Sequence, residues 1–232
     1  SDEWFAETDE DGLPAIAIGR LPARSVEEVA TMVEKIVGYD RSTPSDETLI
    51  VADANDGFDF EAASTRLEDL VSGEIRPLTI YRGLVGDAQA REALFEAISR
   101  GQKIVNYTGH GNVNQWRANL LTNDDAGGLD NRDHLSLFVL MTCLNGYFND
   151  PYLESLGEAL MKARGGAVAV WASSGITLPN QQALMNQELY RQLFGSRSMR
   201  LGIAVSAAKA AVNDDDVRRS WILLGDPTMT LR

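Results

Sequence analysis

One cysteine and two histidines are available to this 232-residue chain, and two of these three residues stand where chemistry is done. His110 lies in Thr108-Gly109-His110-Gly111, at the end of the apolar run 103–107. Cys143 lies in Met141-Thr142-Cys143-Leu144-Asn145-Gly146, at the end of the run 135–142. A thiol titrates near pH ~8.5 and needs help to ionise near neutrality. An imidazole within reach can take that proton and later return it to a leaving amine. The flanking glycines allow a sharp turn and a close approach to substrate. The N–H groups of Gly111 and Cys143 could both face a developing oxyanion. Taken alone, a cysteine of this kind is equally a small buried hydrophobe, and a single one forms no intrachain disulfide.

Side chains at strand ends act together only if the strands are neighbours, so the elements matter next. Apolar runs at 15–19, 48–53, 77–81, 103–107, 135–142, 166–172 and 221–225 read as strands. Helical periodicity covers 25–39, where Ser25 and Glu28 have capping-box spacing, and 60–70, 87–100, 180–194 and 201–212. Asp150 and Pro151 suit the start of a helix running to Ala163. This alternation predicts an α/β fold, a mostly parallel sheet with helices on both faces. In such sheets sites gather at the carboxyl ends of strands, which would bring His110 and Cys143 to one edge. The long irregular stretch 111–134 holds Trp116, a packing anchor or a cleft wall, and His134, read as a loop residue.

The bulk properties exclude several classes. A formal net charge of -13 repels phosphate backbones, so nucleic acid is not an expected partner. No apolar run reaches the ~18 residues of a membrane span. The acidic opening residues have no apolar core of a signal peptide. One cysteine and two histidines are too few soft ligands for a zinc site. Residues 8–12, with Asp9 and Asp11 before Gly12, hold part of a calcium-loop pattern without its closing glutamate; a solvated acidic turn is the simpler reading. G-x-G-x-x-G and P-loop motifs are lacking, which sets nucleotide binding aside.

The wording of the two strand ends adds to this. "NYTGHG" followed by "TCLNGYF" resembles the gingipain-type cysteine peptidases, relatives of caspases, legumains and separases in the clan with a caspase-haemoglobinase fold. The resemblance extends to "LGEALM", "GAVAVWASSG" and "WILLGDPTMTLR", and to "AIAIGRLPARSVEEV" near the start. It implies a caspase-like fold and a Cys-His dyad: His110 as general base and acid, Cys143 as nucleophile, and an oxyanion hole from the backbone of Gly111 and Cys143. It also implies a tail of an N-terminal α/β subdomain with a linking helix at 1–44, and a catalytic subdomain at 45–232.

Such enzymes prefer Arg or Lys before the cleaved bond and hold it with an acid. Within "VADANDGFDFEAAS" that acid matches Asp59, with Asp53 and Asp56 close by. The family's histidine-orienting carboxylate falls near Ala54 and Asn55, so a dyad rather than a triad is expected. Ser173 and Ser174, in the loop resembling the pocket wall, are either substrate-binding or turn residues. The expected partner is a protein or peptide substrate, no cofactor is required, and family members carry structural calcium, though no motif here places it. Secreted or cell-surface localisation follows from the resemblance alone. The rival expectation is an inert peptidase-like module that binds peptides or proteins without turnover.

Overall fold

Residues 2–9, 13–71, 75–195 and 199–232 are described by the computed structural model. In chain order the elements are α1 (Val26–Tyr39), β1 (Glu47–Ala52), α2 (Phe60–Glu68), β2 (Arg76–Tyr81), α3 (Arg82–Val85), α4 (Asp87–Arg100), β3 (Ile104–Thr108), α5 (Asn123–Ala126), β4 (Ser136–Met141), α6 (Leu156–Lys162), β5 (Ala167–Ser173), α7 (Pro179–Leu193), α8 (Leu201–Ala210), α9 (Asp215–Ser220) and β6 (Trp221–Leu224). The strands form one six-stranded sheet in the order β2-β1-β3-β4-β5-β6. All neighbours are parallel except β6, which runs antiparallel to β5.

Burial explains the sequence pattern. Every residue of β3, β4 and β5 is buried, as apolar strands covered on both faces should be. Alternate side chains serve opposite layers. Val105, Tyr107, Phe138 and Leu140 pack with Leu94 and Ile98 of α4 and Leu156 and Leu160 of α6. Leu137, Val139 and Met141 pack with Met185 and Leu189 of α7 and Leu201 and Ala204 of α8. The mostly parallel sheet with helices on both faces is the architecture expected from the α/β alternation.

Three local expectations need correcting. Residues 15–19 form no strand; among the described residues the pairing of this segment with the sheet is a bridge between the next residue, Arg20, and Leu224. Ser25 caps α1 by accepting from the Glu28 N–H, but the Glu28 carboxylate returns to the N–H of Arg24 rather than Ser25, so the capping box is only half made. The helix foreseen from Asp150 begins at Leu156, because Ser155 and Glu158 form a complete capping box there. Asp150 instead accepts from the N–H groups of Tyr152 and Leu153 in a turn. None of the helices among the described residues is long and apolar enough to cross a membrane.

Candidate active site

β3 and β4 are hydrogen-bonded neighbours with Thr108 level with Met141. His110 and Cys143 therefore each lie two positions past the last paired residue, on strands about 4.8 Å apart. The two loops touch. The N–H of Gly109 donates to Met141 O at 3.1 Å. A Cβ on Gly111 would collide with Thr142 Oγ1 and stand 3.0 Å from Gln115 O, so only glycine lets this close approach occur.

The histidine loop is held from below. Asp53, directly after β1 and wholly buried, accepts the backbone N–H of His110 at 3.0 Å and that of Ala54 at 2.8 Å. Arg82 Nε donates to the same carboxylate at 2.7 Å, and Arg82 also bonds Asp87. The His110 carbonyl accepts from Tyr107 Oη at 2.9 Å and from the Arg117 N–H at 2.9 Å. The imidazole itself is exposed and meets the ring of Phe60 edge-on at 5.3 Å. Trp116 is a packing anchor: it is fully buried and stacks on Tyr107 with centroids 4.2 Å apart.

The cysteine loop is tied on both sides. Cys143 is partly buried, and its thiol donates to Thr177 O at 3.6 Å. Among the described residues no hydrogen bond joins the thiol to the imidazole. Asn145 Nδ2 donates to Asn112 O at 2.5 Å, linking this loop to that of His110. The N–H groups of Leu144 and Gly146 are taken by Gly175 O and Ser173 O. In 109–112 and 142–144, the backbone N–H groups that find no acceptor among the described residues are those of Gly111 and Cys143. Each of their neighbours is satisfied, so the two unpartnered donors lie one on each of the two strand-end loops, and free N–H groups are what an oxyanion requires.

The remaining sequence-derived residues are placed as follows. Asp59 is exposed and caps α2, accepting the Ala62 N–H at 2.9 Å. Asp56 pairs with Arg117 at 2.9 Å; that hydrogen bond and charge hold its carboxyl below the usual range, and the His110 charge adds a smaller push the same way. Ser173 is buried, its hydroxyl donating to Gly175 O, and the Ser174 hydroxyl donates to Ser220 O. These serines fix the loop after β5 with their hydroxyls. On that loop Ile176 and Leu178 stay exposed on either side of Thr177. His134 lies at the opposite, amino-terminal end of the strands, with Nδ1 3.3 Å from Thr43 O. It borders a cleft of about 1070 Å³ between α1 and the start of β4 that contains neither His110 nor Cys143. The described residues hold no cluster of three or more metal-ligating side chains; Glu10, Asp11 and Gly12 of the acidic turn lie outside them.

Sequence reasoning missed Arg82, Tyr107 and the structural use of Asp53 and Asn145. Asn145 was visible in the Cys-x-Asn-Gly wording, and Asp53 as a strand-end acid, but burial and partners carry their roles.

The family model for Peptidase family C25 matches residues 1–232. Gingipain R2 of Porphyromonas gingivalis is 23% identical over 258 residues, covering 100% of this chain and 35% of the relative. Lys-gingipain W83 of Porphyromonas gingivalis is 23% identical over 181 residues, covering 75% of this chain and 10% of the relative. The crystal structure of the Arg-specific cysteine proteinase gingipain R superposes with a TM-score of 0.89 at 21% identity, covering 100% of this chain and 59% of that one. This chain thus spans about a third of the length of the first of these relatives.

Proposed function

The chain belongs to peptidase family C25, and from that premise we propose that it is a cysteine endopeptidase working through Cys143 and His110. The observation that carries the reading is the pair of strand-end groups on adjacent parallel strands, with the N–H groups of Gly111 and Cys143 left unpartnered among the described residues on the same two loops.

In this mechanism the imidazole of His110 takes the thiol proton, and Cys143 Sγ attacks the scissile carbonyl. The thiol first leaves Thr177 O, a movement consistent with catalytic hydrogen bonds that tighten only with substrate bound. The carbonyl electron pair moves to oxygen, which the N–H groups of Gly111 and Cys143 stabilise. Collapse of this intermediate expels the amine, which takes its proton from the imidazolium. Water, deprotonated by His110, then hydrolyses the thioester and regenerates the thiol. This chemistry needs no cofactor.

Substrates in this reading are proteins or peptides with Arg or Lys before the cleaved bond, by analogy with the Arg-specific gingipain R and with Lys-gingipain. Asp59 is the proposed reader of that cation. Its Oδ1 already caps α2, so the second oxygen would serve. Ser173 and Ser174 contribute through the backbone of the loop their hydroxyls hold in shape. A secreted or cell-surface setting completes the proposal.

The test is hydrolysis of a peptide mixture by the full chain, with product mapping. Cleavage after Arg or Lys is expected, absent in Cys143→Ala and at least ~100-fold slower in His110→Ala, both variants keeping the wild-type circular dichroism. Turnover that survives Cys143→Ala would refute the assignment. A folded wild-type chain that cleaves nothing would favour a binding module instead.

A further inference from the structure

We propose that Tyr107 is a positioning residue of the oxyanion hole, its buried hydroxyl clamping the His110 carbonyl so that the Gly111 N–H is aimed and polarised. The proposal rests on the peptidase reading above and adds a residue to it.

Tyr107 belongs to β3 and is wholly buried, stacked on Trp116 with planes 8° apart. Its hydroxyl folds back under the end of its own strand and donates to the carbonyl of the residue three positions on. Gly109 makes the room. A Cβ there would stand 2.6 Å from the Tyr107 hydroxyl oxygen and 2.8 Å from its Cζ, and would collide with the Asp53 side chain.

The consequence lies in the peptide between His110 and Gly111. In a planar trans peptide the C=O and the N–H point in opposite directions. Tyr107 Oη and the Arg117 N–H both hold the oxygen. The N–H is thereby fixed on the other side, where no acceptor among the described residues takes it. Hydrogen bonds to an amide oxygen also polarise the attached N–H and strengthen it as a donor. Burial pushes the phenol well above its usual range, so the hydroxyl keeps its proton wherever a cysteine nucleophile works. A phenylalanine would fill the same space and stack on Trp116 equally well. The hydroxyl is the part of this side chain that packing does not explain.

Tyr107→Phe in the full chain isolates it. The expected result is a fall in kcat for peptide hydrolysis of about tenfold, with KM within about twofold, because the oxyanion exists only along the reaction path. The loss is smaller than the ~10²–10³ of deleting a donor outright, since the Arg117 N–H still holds the carbonyl. Alkylation of Cys143 by iodoacetamide, which forms no oxyanion, keeps its wild-type rate and pH profile. The Gly111 amide proton resonance moves upfield. An unchanged kcat, an alkylation rate that falls in step with kcat, or an unmoved Gly111 resonance would each overturn the proposal. If Tyr107→Phe does not fold, Tyr107→3-fluorotyrosine strengthens the donor instead of removing it. The Gly111 resonance should then move downfield with alkylation unchanged, and a resonance that stays in place overturns the proposal. Wild-type turnover that survives Cys143→Ala is a failure of the peptidase reading and takes this proposal with it. Turnover lost in Cys143→Ala but unchanged in Tyr107→Phe overturns this proposal alone.

Discussion

A single carboxylate shows how a residue's work depends on where the fold puts it. Asp53 is one of three acids within a few positions, and in the sequence it competes with Asp56 and Asp59 for the same substrate-reading role. Its burial, its ion pair with Arg82 and its bond to the His110 N–H make it a support of the His110 loop. Substrate cannot reach a side chain with no exposed surface. Asp53→Ala strands a guanidinium that is only 12% exposed. Breaking such a buried pair costs roughly 3 kcal/mol, toward the lower end of the usual range because Asp87 remains. Urea denaturation should show that loss, and peptide turnover should fall with it as His110 loses its anchor; an unchanged midpoint would mean the pair contributes nothing net. The histidine and the cysteine were legible because their types, rarity and strand-end settings are local facts. The supports were not, because hydrogen-bond partners 50 or more positions apart, such as Asp53 and His110, leave no local trace.

Among the elements, the legible ones are those whose apolar period is unbroken. β3, β4 and β5 stand out because they are buried on both faces. The start of α6 was misplaced because Asp150-Pro151 and Ser155 with Glu158 are both good start signals, and the chain uses the one with a reciprocal cap. Residues 15–19 alternate as a strand does, yet among the described residues the segment pairs with the sheet through the bridge at the next residue, Arg20. α1 is fastened to α6 by Lys35, whose ammonium donates to the carbonyls of Leu160, Met161, Ala163 and Gly165. Burial pushes Lys35 down to about 7, while those carbonyls and the helix C-terminus favour the charged form. An unfolded lysine titrates near ~10.4. Between these values the unfolded chain binds more protons than the folded one, so the Lys35 contribution to stability rises with pH across that window and is flat below it. Stability measured by denaturant from pH 6 to 9.5 should climb more steeply in the wild type than in Lys35→Met. Parallel profiles would show that the carbonyls hold the ammonium fully charged throughout.

For the whole molecule, sequence and structure meet on one arrangement. The α/β alternation foretold a mostly parallel sheet, and its strand order puts β3 next to β4, which the alternation alone could not fix. That adjacency turns two separate motifs into one edge with a thiol, an imidazole and two unpartnered N–H groups. A net charge of -13 gives the molecule a field that disfavours nucleic acid, and the proposed reading of Arg or Lys would sit within that field. The central claim is that His110 activates Cys143 toward a bound peptide. The most direct measurement is the rate at which a peptidyl acyloxymethyl ketone with Arg at P1 modifies the full chain, read by mass mapping in the wild type and in His110→Ala. The account predicts one adduct, on Cys143, forming at least ~100-fold more slowly without the imidazole. An adduct at another residue, or an equal rate in the two proteins, would contradict it.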